Sequence, residues 1–263
     1  MGIWKMEKKN SEEKEIQQLK KRFHDLADKS FRQGVYTYTG FLGLGDQELF
    51  WQEEPRLKYA GYELNGGFEG AERVLVRFGA REELGYEEEF PIACLLIRPL
   101  ARKFVDDLSH RDFLGALTNL GIERSILGDI RVGEGQACLF CLRSIAEFIC
   151  ENLVQVKRTS VTCSPETEAR LIPGEEPEKR CLHVPSLRAD AVLARVYDMS
   201  REKSAELFRT GKVYISGRRC ENHSRQLKTG ETVNARGYGK FVLVGEPRET
   251  RKGRLTVEAE VYR

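Results

Sequence analysis

SREKSAELFRTGKVYISGRRC, residues 200–220, reads as a helix, a stop, a strand and a basic turn. Ser200 is an N-cap residue, and Ala205, Leu207 and Phe208 recur on the inward side of the helix it opens. Gly211 ends that helix. In KVYISG, Val213 and Ile215 face one way and Tyr214 and Ser216 the other, as alternate strand residues do. The turn SGRRC is expected to present Arg218 and Arg219 at its tip. A helix start offers unsatisfied N–H groups and a partial positive charge, so Ser200, Arg201 and Lys203 there form a phosphate site. Lys212 and Arg218 are expected to extend it from the strand side. As an exposed first-turn residue, Arg201 is expected to bear on phosphate binding and hardly on folding. Just upstream, LRADAVLARVY puts Leu187, Val192, Leu193 and Val196 broadly on one helical face, with Arg188 and Arg195 outside it. Two helices, a strand and a basic turn make a plate of fixed cations that needs no nucleophile.

The charge distribution agrees with that reading. Over 263 residues the net charge is only +2, but residues 182–263 hold seventeen basic and ten acidic residues, a net +7, and residues 1–181 carry −5. The C-terminal third is therefore the part that a phosphate backbone attracts. Seven cysteines at spacings that form no framework, with no apolar leader, predict a reduced cytoplasmic protein. No apolar run approaches the roughly 18 to 20 residues of a membrane span, so no membrane contact is expected.

Three domains of α+β class are expected from this length and pattern. In residues 1–85, Ser11 is read as the cap of a helix carrying Ile16, Leu19, Phe23 and Leu26 on one face, followed by glycine-rich and aromatic stretches with two strands around Gly66-Gly67. Residues 86–163 read β-α-β-β-α-β, the split pattern of ferredoxin-like and RRM-type domains. There FPIACLLIRP is a strand, Ser109 with Asp112 caps HRDFLGALTNL, GDIRVG and QACLFCL form a hairpin at Glu134-Gly135, and Ser144 with Glu147 opens IAEFICENL. Residues 164–181, with three prolines and many charges, read as a linker. The basic module follows over 182–263, with a C-terminal strand extension.

R-x-D at Arg188 and Asp190, S-R-x-x-A at Ser200, Arg201 and Ala205, and G-K-V-x-I-x-G at Gly211 to Gly217 resemble the S4 RNA-binding family, the match running from Leu187 to about Val233. Ala189 and Ser216 stand where that family usually carries Leu and Asn. The stretches NGGFEGAERV (65–74), LSHRDFLGALTNLGIERSILGDI (108–130) and ARGYGKF (235–241) further resemble the YlmH family of bacterial S4-domain proteins. That resemblance implies an S4 (αL-type) module at the C-terminus and a non-catalytic RNA-binding protein that associates with the large ribosomal subunit. It implies rRNA and peptidyl-tRNA as partners, in rescue or quality control of stalled subunits. The RNA contacts expected of such a protein are Arg188, Ser200, Arg201, Lys203, Lys212, Arg218 and Arg219; His110 and Arg111, by their place at a helix start, are an additional candidate rRNA contact.

Other signals carry less. HRD at 110–112 lacks the Asn that a kinase loop needs five residues after Asp, since Leu117 stands there. Ser109, His110 and Asp112 are a cap and no triad, because neighbours at a helix start point apart. Cys138 and Cys141, three apart on a strand, face opposite sides and form no metal or redox pair. Cys181, His183, Cys220 and His223 have poor chelate spacing for zinc. Gly237-Tyr238-Gly239 is a loop and no nucleotide fingerprint. The middle strands lack paired aromatics for stacking bases, Phe140 being a single ring. No cofactor, metal or small-molecule substrate is therefore expected. The alternatives are an RNA-modifying enzyme tethered by S4, for which no catalytic R-L-D stretch or cofactor loop is found, and a cell-division-linked protein adaptor.

Overall fold

The spacing of Ile16, Leu19, Phe23 and Leu26 continues as one long helix, α1 (Gly2–Gln33), in the computed structural model. The structure describes residues 2–101, 107–133, 135–166, 177–250 and 253–262, with side chains from residue 13 onward. Ser11 lies inside α1, so the cap expected there is not the start of the helix. Phe23 and Ala27 are fully buried, and Phe23 meets Phe50 edge-on with ring centroids 5.6 Å apart. Burying such a ring contributes about 1.5 to 3 kcal/mol. A short strand β1 (Thr37–Tyr38), helix α2 (Leu44–Leu57), and strands β2 (Tyr62–Asn65) and β3 (Leu75–Phe78) complete this α+β part, the strands ordered β1-β3-β2. A single helical turn, α3 (Arg81–Leu84), follows.

The middle segment has the expected βαββαβ order: β4 (Ile92–Pro99), α4 (His110–Asn119), β5 (Leu127–Gly133), β6 (Gln136–Leu142), α5 (Arg143–Asn152) and β8 (Thr159–Glu166), with the two-residue strand β7 (Gln155–Val156) before the last. The antiparallel sheet runs β5-β6-β4-β8-β7. Phe113, Leu117 and Ile149 of the two helices form one core with Leu95, Ile97, Leu139 and Cys141 of the strands. Asp112 closes the start of α4, accepting from Ser109 N at 2.8 Å and Ser109 Oγ at 2.6 Å. Helix α5 starts one residue before Ser144, with Leu142 at the N-cap position. Cys141 is in the helix-facing core, whereas Cys138 Sγ lies 2.7 Å from Cys94 Sγ on the other side of the sheet. The two cysteines of C-x-x-C thus face opposite ways, as strand alternation requires. Glu134, in the expected hairpin turn, is outside the described residues.

These two segments belong to one compact unit, Met1–Gly174. Arg73 fastens them, donating to Leu127 O at 2.8 Å, Phe41 O at 2.9 Å and Arg124 O at 2.8 Å. A half-buried guanidinium needs such carbonyls, because an unsatisfied buried charge is costly. Asp129 adds bonds from Glu72 N at 2.6 Å and Arg73 N at 3.1 Å. Among the described residues, no helix is long and apolar enough to cross a membrane.

The second unit, Glu175–Arg263, opens with strand β9 (Glu178–Val184). Residues 178–181 therefore belong to a strand and not to the expected linker, of which residues 167–176 lie outside the described residues. At the other end, Ser164, Pro165 and Glu166 are the last residues of β8. The charges of EKRCLHV mask a period of two: Leu182 and Val184 are buried in the unit's core, while Arg180 on the same face donates to Val196 O at 2.8 Å. Helices α6 (Ala189–Val196) and α7 (Arg201–Arg209) follow, then β10 (Val213–Ile215), β11 (Arg218–Arg219), β12 (Thr232–Ala235), β13 (Gly239–Glu249) and β14 (Leu255–Tyr262). The sheet order is β11-β10-β12-β13-β14-β9. Val192, Leu193, Val196, Leu207 and Phe208 of the helices pack with Val213, Val233, Phe241 and Val257 of the strands.

The β10-β11 turn consists of Ser216 (φ 49°) and Gly217 (φ 74°), between the paired residues Ile215 and Arg218. Positive φ at both central residues is the type I′ geometry, for which Asn-Gly is the favoured pair. Ser216 thus holds a left-handed conformation that asparagine tolerates better. Arg218 and Arg219 are the strand residues after this turn and do not form its tip.

Candidate nucleic-acid interface

Helix α7 starts as its sequence predicts, with Ser200 Oγ accepting from Lys203 N at 3.1 Å. What lies beside this start is a carboxylate. Asp190, one residue into α6, is 3% exposed. It accepts from Arg188 through Nε and Nη2, both at 3.1 Å, and from Arg201 Nη2 at 2.8 Å. His223 Nδ1 stands 3.4 Å from the same carboxylate oxygen. Burial pushes the Asp190 carboxyl up, but the bonds from Arg188 and Arg201 outweigh it and hold the group below its ordinary value. Two guanidiniums are thereby fixed side by side, their remaining N–H groups available for a second acceptor. Arg201 spends one of its five donors on Asp190 and is half exposed, which suits bidentate phosphate recognition. Its bond to the buried Asp190 carboxylate joins α7 to α6, a tie that its place in an exposed first turn did not disclose.

Lys203 lies in the first turn of α7, with Nζ 5.7 Å from the centre of the Tyr238 ring. Tyr238 in turn faces Tyr197 with ring centroids 5.7 Å apart. The Gly237-Tyr238-Gly239 loop, read from sequence as a simple loop, thus delivers an aromatic ring to the cation cluster. A ring between glycines within a basic stretch was the available signal.

The structure divides the seven expected residues. Arg188, Ser200, Arg201 and Lys203 gather at the start of α7. Lys212, Arg218 and Arg219 lie at its far end, about 13 Å away for nine residues of helix, so they do not extend the first cluster directly. Lys212 and Arg218 are exposed there. Arg219 pairs with Glu221 at 3.2 Å and lies against Gly211, where a Cβ would come within 2.1 Å of its Nη2. Arg236, which the sequence analysis did not single out, follows directly after β12, donates its backbone N–H to Lys212 O at 2.9 Å and sits 5.0 Å from the buried Tyr214 ring.

In the first unit, His110 and Arg111 are exposed at the start of α4. Asp112 beside them binds Lys157 at 3.1 Å. The Ser109 hydroxyl and amide, then Lys157, hold the Asp112 carboxyl down to about 2, so this acid is an ionised cap. Of the four residues weighed as a zinc set, three have separate partners: His183 meets Thr256 Oγ1 at 3.1 Å, Cys220 faces Asn222 O at 3.5 Å, and His223 joins Arg188 at 3.3 Å. Cys181 is exposed on β9.

A family model described as a putative RNA-binding domain in YlmH matches residues 86–169, the βαββαβ segment. A Bacillus subtilis (strain 168) protein named ribosome-associated protein quality control protein P2 is 31% identical over 201 residues, covering 76% of this chain and 77% of that protein. A solved structure, the cell division protein ylmH from Streptococcus pneumoniae, is similar with a TM-score of 0.45 at 23% identity, covering 58% of this chain and 91% of that one. With nearly a third of positions identical to the Bacillus subtilis protein across three quarters of both, this chain belongs to the YlmH family.

Proposed function

We propose that the chain is a non-catalytic RNA-binding protein of the cytoplasm that associates with the large ribosomal subunit through rRNA and tRNA contacts. In this reading it serves rescue or quality control of stalled subunits that carry peptidyl-tRNA. The observation that carries it is the pair of guanidiniums held by Asp190 beside the capped start of α7, in the part of the chain with a net charge of +7. Helix α6, helix α7 and the β10-β11 hairpin follow one another as in an S4 module, which supports that assignment. The name of the Bacillus subtilis relative supports the ribosomal setting, and the description of the 86–169 family model supports a second RNA contact in the first unit. Arg188, Ser200, Arg201 and Lys203 are assigned the main contact, Lys212, Arg218 and Arg219 a second stretch of backbone, and His110 with Arg111 the first unit's share.

Binding through fixed cations releases counterions from the RNA, so affinity falls with salt in proportion to the phosphates neutralised. With five or so cations engaged, log Kd against log salt for the full chain on structured RNA is expected to have a slope of magnitude about 3 to 5. A slope near zero overturns the electrostatic reading.

A further inference from the structure

We propose that Phe68, on the glycine loop between β2 and β3, stacks on an unpaired base of RNA, and that the open depression lined by this loop receives that base. The proposal rests on the RNA-binding reading above and names a site in the first unit. An RRM-like sheet that reads RNA does so with rings exposed on the face opposite its helices. Here the strand ring on that face, Phe140, is only 1% exposed. Phe68 covers it, the two rings lying 4.8 Å apart and tilted by 31°. Phe68 itself is partly exposed, so the outermost ring of this face comes from a loop and not from a strand.

The surroundings of Phe68 suit a base. The Arg131 guanidinium lies 4.8 Å from the Phe68 ring centre and is itself 9% exposed, which fixes a cation at the ring. The same ring lines an open surface depression, together with Leu64, Asn65, Gly67 and Val74. Asn65 Oδ1 accepts from Gly67 N at 2.7 Å, which holds the loop's curl and places an amide at the depression. Arg98, exposed on β4, shares the sheet face of Cys94 and Leu96 by strand alternation and offers a cation to the adjoining backbone.

Gly66 lets the loop fold tightly on itself, and Gly67 lets it sit on the sheet. A Cβ on Gly66 would come within 2.3 Å of Ala71 Cβ and 2.5 Å of Arg73 O. One on Gly67, whose φ is +95°, would come within 2.5 Å of the Phe140 ring. Only glycine lets the backbone approach this closely, and the result is a ring seated on Phe140 beside the depression. A ring already packed against Phe140 and Arg131 has little further freedom to lose when a base arrives.

The test uses the full chain and two fluorescein-labelled RNAs, a hairpin with an unpaired loop and a blunt duplex of equal length. Phe68→Leu keeps an apolar cover over Phe140 but removes the aromatic face, and its melting temperature is expected to stay near the parent's. Its affinity for the looped hairpin should fall about tenfold, within the range for one base stacked on a ring, while duplex binding is unchanged. Phe68→Tyr should bind like the parent. In Phe68→Trp, addition of the looped RNA should quench emission beyond any change in the parent's own tryptophans. If Phe68→Leu binds the hairpin as well as the parent or better, Phe68 is only a cover and the inference is overturned. Unquenched emission from a bound Phe68→Trp protein overturns it as well. A parent protein that binds neither RNA overturns the RNA-binding reading and this inference with it.

Discussion

Asp190→Asn should destabilise the C-terminal unit by about 2 to 4 kcal/mol, read as a lower urea midpoint at unchanged slope. The carboxylate is 3% exposed and accepts two hydrogen bonds from Arg188 and one from Arg201. Bonds of this kind contribute about 1.5 to 3 kcal/mol each. The full sum is not expected, because both arginines are more than a third exposed by side chain and regain water when the acid is neutralised. Asparagine keeps the shape and removes the charge, so the loss measures the ion cluster and not a cavity. The effect depends on pH. The arginines hold the folded carboxyl below its ordinary value, so the unfolded chain takes up the proton first. The contribution is therefore complete above about pH 4, the ordinary aspartate value, and fades as the pH falls through the lower folded value. The gap between parent and variant should narrow on acidification. A variant as stable as the parent at neutral pH contradicts this account of Asp190.

Arg201→Ala should weaken binding of structured RNA by about 1 to 3 kcal/mol, the range for hydrogen bonds involving a charged group, or roughly five- to 150-fold in Kd. It should also lower stability by about 1 kcal/mol, since a buried carboxylate loses one of its donors. Arg201→Lys keeps the charge without the fork and should recover only part of the affinity. Lys203→Ala provides the contrast: its side chain takes no part in the Asp190 cluster, so it should lower affinity with stability close to the parent's. Fluorescence anisotropy and thermal melting of the three variants separate the effects. Arg201→Ala with parent-like affinity would move RNA binding to another face of the unit.

Where local chemistry repeats with a clear period, the fold was legible. The βαββαβ order followed from apolar runs separated by capped helices, and the C-terminal helices from Ser200, Gly211 and the spacing of Leu207 and Phe208. Strand β9 was not legible, because in EKRCLHV an arginine occupies an inward position and is satisfied by the Val196 carbonyl at the end of α6. A hydrophobicity pattern does not register a buried face that includes a cation. Nor did the glycines of NGGFEGAERV disclose that they seat Phe68 on Phe140, since that contact joins residues far apart in the chain. Of the candidate site, the cations were legible individually and their grouping was not. R-x-D at Arg188 and Asp190 was visible as a pattern, but the carboxylate's role in holding Arg201, eleven residues on, depends on how α6 packs against α7. The same packing leaves Lys212, Arg218 and Arg219 at the opposite end of α7.

Sucrose-gradient sedimentation with purified large ribosomal subunits tests the proposed association most directly. At moderate salt the full chain should migrate with the subunit, and Arg201→Ala should migrate with it less. Raising the salt should return the protein to the top of the gradient, as counterion competition requires. A parent chain that stays at the top of the gradient at low salt, with intact subunits present, contradicts the proposed association.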